Sequence, residues 1–192
     1  MKKSKVILTI ISLVLVVAMS VAGTLAYLKV KTQEVENTFS PSNIALTLTE
    51  EKDDLKMIPG VDMKKAPKVT VTADIDTYVF VKVEASANAA EYLTWAVDES
   101  ATSWIKVPGE TNVYYREVSA DVAADGESFY VLTGKGTGDF ANGFVTTKTS
   151  VTEAMMNTAE SSKPTLTFTA YAIQKDAMAD VNAAWTEAKA QA

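Results

Sequence analysis

The stretch that decides the fold is YVFVKVEA, residues Tyr78 to Ala85. Successive side chains of a strand point to opposite faces. Tyr78, Val79, Phe80 and Val81 therefore make both faces apolar, and all four are good strand formers. Lys82 and Glu84 then fall together on one face. The pattern predicts a central strand of a sandwich, covered on both sides at its start, whose tail emerges into water.

Working outward, weaker strand signals surround it. Val69, Val71 and Ala73 alternate with Thr70 and Thr72, and Ile44, Leu46 and Leu48 alternate with Ala45, Thr47 and Thr49. Asp74 to Thr77 reads as a connection, and Ile58-Pro59-Gly60 as a turn after the acidic run Glu50 to Asp54. Trp104 to Val107 and Val113 to Val118 flank Pro108-Gly109-Glu110-Thr111-Asn112, which predicts a hairpin with a longer loop. Phe129 to Thr133, Phe144 to Val151 and Thr165 to Ile173 complete the strands, with a loop at Gly134 to Gly138 and a tight turn at Asn142-Gly143. Ala87 to Ala96 reads as a short helix or an irregular insertion. In Asp176 to Ala190, Met178, Val181, Ala184, Trp185 and Ala188 recur at helical spacing. This predicts a terminal helix that lays Trp185 on the sheets. The expected class is all-β, an antiparallel β-sandwich with a short C-terminal helix in one domain over residues 41–192.

Composition narrows the chemistry. The chain has 192 residues, 47% hydrophobic and 22% charged, enough for one ordinary core. Its formal net charge is −6, from 18 cations and 24 acids. Lys2, Lys3 and Lys5 precede the first apolar run; without them 18 − 3 leaves 15 cations, and the remainder carries −9. That balance disfavours nucleic acid and anionic lipid as partners. There is no His and no Cys. The Ser-His-Asp triad, the HExxH zinc motif, thiol catalysis, thiolate metal sites and disulfides are all excluded. Ser103-Trp104-Ile105-Lys106 fits S-x-x-K, but in a strand positions i and i+3 face opposite ways, and the companion motifs are missing. Gly134-Lys135-Gly136-Thr137-Gly138 lacks phosphate-loop spacing and precedes no helix. No cofactor is expected. Asp74 with Asp76, and Asp121 with Asp125, are the candidates for a calcium site, although neither resembles an EF-hand loop.

The N-terminus reads as an export signal. MKKSK is basic, and Val6 to Met19 is apolar apart from Thr9 and Ser12. Thr24 and Ala26 are the small residues at −3 and −1 of a cleavage site, which predicts cleavage between Ala26 and Tyr27. The signal helix would occupy residues 1–26. The competing expectation is an uncleaved anchor: Val6 to Leu28 as a helix would span roughly 35 Å. Membrane contact is expected through this segment alone.

These N-terminal residues carry a family resemblance. G-T-L-A-Y (Gly23 to Tyr27), N-T-F (Asn37 to Phe39) and the strand I-A-L-T-L resemble the TasA/camelysin family of secreted Gram-positive proteins, exported with a dedicated SipW-type signal peptidase. I-P-G (Ile58 to Gly60), P-K-V-T-V (Pro67 to Val71), Y-V-F-V-K-V (Tyr78 to Val83) and T-A-Y-A-I-Q (Thr169 to Gln174) are similar to SipW-dependent exported proteins of Firmicutes. The chain departs from the family pattern at Leu28-Lys29-Val30, where an Asp or Asn is usual, and at Asn43, often Gly. Camelysin-like members have been described as proteases, but no residues here match a zinc site or a triad.

The resemblance implies a jelly-roll-like sandwich that assembles into extracellular fibres of the biofilm matrix. In such fibres the N-terminal segment of one subunit adds as a strand to the next. Residues 27–40 are then the donor strand, with Leu28, Val30, Val35 and Phe39 as anchors. The partners would be other copies of the chain, head to tail, or related matrix proteins, with a signal peptidase acting during export. The residues leave three alternatives open. One is that 27–40 form only a stalk or an intramolecular edge strand. Another is a monomeric or anchored surface module for a polysaccharide or protein, with Trp95, Trp104, Tyr114 and Tyr115 as a sugar-binding face. The last is a secreted hydrolase working with two carboxylates.

Overall fold

The structure, a computed structural model, describes residues 42–50, 55–99, 103–157, 159 and 162–190. Ten strands carry the fold. β1 is Ile44–Thr49, β2 Asp62–Lys64, β3 Lys68–Ala73, β4 Thr77–Ala85 and β5 Leu93–Thr94. β6 is Ile105–Lys106, β7 Val113–Val118, β8 Glu127–Tyr130, β9 Phe144–Thr147 and β10 Leu166–Gln174. Among the described residues, three helices have a single turn: α1 (Ala89–Tyr92), α2 (Ala120–Ala123) and α3 (Glu153–Met156). The fourth, α4 (Val181–Ala190), has ten residues.

Every strand pairing is antiparallel, and the strands form three sheets ordered β1-β3-β8, β10-β4-β7-β6 and β2-β9-β5. The all-β class holds. β4 is the central strand that its sequence predicts. On one side it pairs with β10 from Thr77↔Gln174 to Ala85↔Leu166, and on the other with β7 from Thr77↔Val118 to Lys82↔Val113.

Two hydrophobic clusters explain why β4 is apolar on both faces. Val79, Val81 and Val83 point into a main core shared by all three sheets, with Val69 and Val71 of β3, Phe129 of β8, Met63 of β2 and Val145 of β9. Tyr78 and Phe80 point the other way, into a second cluster with Val113, Ile173, Ala184 and Trp185. The second face is thus covered by α4 and not by another sheet. Val79, Phe80 and Val81 are fully buried, and burial stabilises such side chains by roughly 1.5–3 kcal/mol each. Lys82 and Glu84, at the emerging tail, form an ion pair of 2.7 Å.

Trp185 keys the helix to the sheet. Its ring lies 5.4 Å from Phe80 and 5.2 Å, edge-on, from Tyr171, and its indole donates to Glu110 Oε1 at 2.8 Å. The helix is shorter than the sequence pattern suggests: it starts at Val181 and not at Asp176. The Asp180 carboxylate caps it by accepting the Ala183 N–H at 2.8 Å. Ala177, at φ 71°, holds a left-handed turn that no helix can include. Met178 still reaches the second cluster, from that turn.

Other expected boundaries move too. The expected strand at Phe129 to Thr133 lies at Glu127–Tyr130, with a separate bridge between Leu132 and Val97. The expected strand at Phe144 to Val151 stops at Thr147, where its pairing with β2 and β5 runs out and a turn follows at 149–150. The hairpin around Pro108 to Asn112 forms, with Ile105 opposite Tyr115, but β6 is only two residues long. Residues 87–96 hold both α1 and β5. β2, α2 and α3 lie where no element is expected from the sequence.

The chain's one arginine, Arg116, lies half-buried on the core-facing side of β7. Its guanidinium stacks on Phe129, 3.5 Å from the ring centroid, and lies 5.7 Å from Trp104. Burial lowers its pKa from the ordinary value, while the Glu127 and Asp98 carboxylates oppose that shift. Cation–π contact and nearby acids hold the charge at the edge of the core.

Two outcomes follow from this packing. Trp185→Ala should lower stability by about 3–5 kcal/mol, the usual cost of removing a large buried aromatic, read as a lower urea midpoint at unchanged slope. Gly143→Ala should also destabilise strongly. Gly143 sits at φ +136°, and a Cβ there would lie 2.5 Å from the Lys65 carbonyl oxygen. Thermal unfolding of the variant against the parent chain measures it.

Candidate functional site

Two strands end their sheets side by side in packing but not in pairing. β10 is the edge of the four-stranded sheet, and β1 is the edge of its own. Which backbone groups face outward follows from the ladders, since alternate residues of an antiparallel strand bond to the same neighbour. The Ser86 N–H donates to the Thr165 carbonyl, and the Lys175 N–H donates to the Asp76 carbonyl. Odd-numbered residues of β10 therefore bond toward β4. Leu166, Phe168, Ala170, Ala172 and Gln174 turn their N–H and C=O groups to the open side. The Asp74 N–H donates likewise to the Asn43 carbonyl. Ile44, Leu46 and Leu48 of β1 hence present their backbone away from β3.

Between these edges and α4 runs a groove of about 1220 Å³. It is lined by Ile44 and Leu46, by residues 169–174 of β10, and by Asn182, Ala183 and Thr186 of α4. Its walls are mostly small or aliphatic, and its charged lining residue is Glu187. Most of β10 is only half-buried although its residues are largely apolar. Chemically, the groove offers what an extended chain needs: main-chain donors and acceptors with no strand partner among the described residues, beside apolar side chains.

A second, smaller cleft of about 460 Å³ lies near the far end of β4, with Trp95, Tyr114, Glu99, Thr111 and Asn112 around it. The Tyr114 hydroxyl is hydrogen-bonded to Glu99. Its pKa is raised by burial first, then by the negative charge of Glu99 and that hydrogen bond. A third cleft, about 390 Å³, sets Arg116 and Lys175 among Asp76, Glu117 and Glu127. There Lys175 pairs with Glu117 at 2.5 Å.

The sequence-based candidates divide. Ala26 and Tyr27 of the cleavage site, and the strand anchors Leu28, Val30, Val35 and Phe39, lie outside the described residues, as does the signal helix. The calcium candidates Asp74 and Asp76 have structural partners. Asp74 Oδ1 accepts the Asn43 N–H, and Asp76 Oδ1 accepts the Ala120 N–H, both at 2.9 Å. No cluster of three or more acidic groups suited to a metal occurs among the described residues. The four proposed sugar-facing aromatics do not share a face. Trp104 is 1% exposed in the main core, and Tyr115 packs with Tyr78 and Phe80 on the opposite side of the sheet. Only Trp95 and Tyr114 meet at one cleft. The open edge of β10 went unforeseen; the signal was present in its length and its apolar, threonine-rich composition, but pairing is a tertiary property.

Among the described residues no helix is long and apolar enough to cross a membrane. Comparison of the chain with protein-family models, with curated proteins and with solved structures gives no match.

The Tyr114–Glu99 pair has a testable signature. The folded phenol should ionise above the ordinary tyrosine range, so its contribution to stability is present below the unfolded pKa and is lost as pH rises through the folded one. An ultraviolet titration of the parent minus Tyr114→Phe isolates this group. Glu99→Gln should bring its midpoint part of the way back, leaving the share due to burial.

Proposed function

We propose that the chain is an exported structural protein of the cell surface or biofilm matrix, which polymerises head to tail by addition of an N-terminal strand. On this reading residues 1–26 are a signal removed by a signal peptidase after Ala26. Residues 27–40 donate a strand, and a jelly-roll-like sandwich over 41–192 receives it. The protein is non-catalytic and needs no cofactor. The family resemblance to TasA and camelysin suggests this role.

The observation that carries the reading is the groove where the outward-facing backbones of β1 and β10 lie beside apolar walls. An edge as long as the nine residues of β10, with no strand partner among the described residues, is a liability that proteins usually blunt or cover. A strand from a second copy covers it while adding main-chain hydrogen bonds. The donor is long enough: residues 27–40 are 14 residues (40 − 27 + 1), reaching roughly 45 Å when extended. Leu28 and Val30 share one face of such a strand and would sit against the groove. Donor and acceptor are different surfaces, so the contact does not close on itself and a filament results.

The test compares residues 27–192 with a version beginning at Pro41, by light scattering and negative-stain imaging. Filaments from the first and monomers from the second are the expected result. Monomers from both, across concentration and salt, would overturn self-polymerisation. Ala172→Pro probes the acceptor side. The N–H it removes points away from β4, so the sheet should survive, as proline is tolerated on an edge, while filament growth should stop.

A further inference from the structure

We infer that the cleft between Trp95 and Tyr114 is a binding site for a neutral saccharide. The inference does not depend on the fibre reading, because the cleft shares no lining residue with the groove at β10.

The cleft has the size and mixture of surfaces that such a ligand requires. Its volume of about 460 Å³ falls in the range of roughly 300–1,000 Å³ typical of small-molecule sites. A sugar ring presents an apolar C–H face and a rim of hydroxyls, so it needs an aromatic wall together with in-plane donors and acceptors. Trp95 and Tyr114 supply the wall, and neither ring stacks on another aromatic among the described residues. Glu99, Thr111 and Asn112 supply the polar rim. The backbone carbonyl of Asn112 is held by the Val83 N–H at 2.9 Å, which fixes the base of the hairpin loop beside β4.

The three tryptophans differ in a way that singles out this one. The indole N–H of Trp104 is committed to the Tyr130 carbonyl, and that of Trp185 to Glu110, each at 2.8 Å. Both of those rings are buried. Trp95 is half-buried and lines the cleft, so part of its ring faces open space. A large amphipathic side chain partly open at a cleft is suited to a ligand that is apolar on one side and hydroxylated on the other.

Charge selects among ligands. Among the described residues, Glu99 is the one ionisable side chain of the lining besides the tyrosine, and no Lys or Arg lines the cleft. Anionic sugars and phosphates would meet a carboxylate with nothing to balance them. A cationic ligand is the competing occupant, since two aromatics and an acid also make the beginnings of a cation cage. The hydroxyl of Thr111 and the amide of Asn112 favour the polyol, because a quaternary ammonium has no use for either.

The experiment uses the full-length chain labelled with ¹⁵N, whose three indole N–H signals report the three tryptophans separately. The probes are cellotriose, maltotriose and chitotriose, with choline chloride and free lysine as cationic controls. The expected result is that at least one trisaccharide moves the Trp95 signal saturably while those of Trp104 and Trp185 stay in place. Trp95→Ala removes the signal and risks the core, because Trp95 also packs on it. The deciding variants are therefore Glu99→Gln and Asn112→Ala on the rim. Each should weaken binding by about tenfold, as expected for a lost hydrogen bond, with the other two indole signals unchanged. Three results would overturn the inference: no saturable shift with any trisaccharide, a shift with choline or lysine in their place, or binding that survives both rim variants.

Discussion

The structure depends on one constraint: β4 buries both its faces. A strand whose consecutive residues Val79, Phe80 and Val81 are all fully buried needs a hydrophobic partner above and below. The valines settle the first layer, since they draw in the core-facing sides of β3, β8 and β9. Phe80 and Tyr78 demand a second cover, and α4 is amphipathic enough to give it through Ala184, Trp185 and Ala188. Removing either layer would expose a row of apolar side chains.

Polar groups are placed where the layers end. Asp74 and Asp76 hold the β3–β4 connection by accepting backbone N–H groups from Asn43 and Ala120. Thr77, fully buried at the start of β4, donates its hydroxyl to the Ile75 carbonyl. Arg116 lies over Phe129 at the border of the main core. Carboxylates that invite a metal reading in the sequence thus have work inside the loops. Among the described residues, the β1 and β10 edges turn backbone outward, and the Trp95 cleft opens between two loops. The two sites differ in kind, the first reading main chain and the second side chains.

The strong periods were legible in the sequence, and the reasons others were not are physical. β1, β3, β4, β7 and β10 each have a run of six or more residues with alternating or continuous apolar character, and all were expected close to their observed positions. β2 reads Asp-Met-Lys, and only Met63 of it is buried, so three residues gave no period to detect. The start of α4 was misplaced because Met178 falls at helical spacing by way of a turn at Ala177. The doubly apolar character of β4 was legible, as was a terminal helix laying Trp185 on the sheets, but not that this helix is what covers the second face of β4. Among candidate site residues, Trp95 and Tyr114 were named, yet Trp104 and Tyr115 were grouped with them because sequence cannot say which face a strand shows to which layer. Glu99, Thr111 and Asn112 come from two loops that only the fold brings together.

The order in which the chain closes on itself follows from the pairing of β4 with β10. The partners are 81 residues apart at Leu166↔Ala85 (166 − 85) and 97 apart at Gln174↔Thr77 (174 − 77). Trp185, the cover for the outer face, lies later still. Contacts so distant along the chain carry a large loop-closure cost before they repay it, and they slow folding. The central strand therefore remains without one neighbour and one roof until β10 and α4 have been made. Until then β3 and β7 are the neighbours already present for it, and its edge toward β10 and its outer face have none. A chain built this way locks when β10 closes the sheet and α4 covers it.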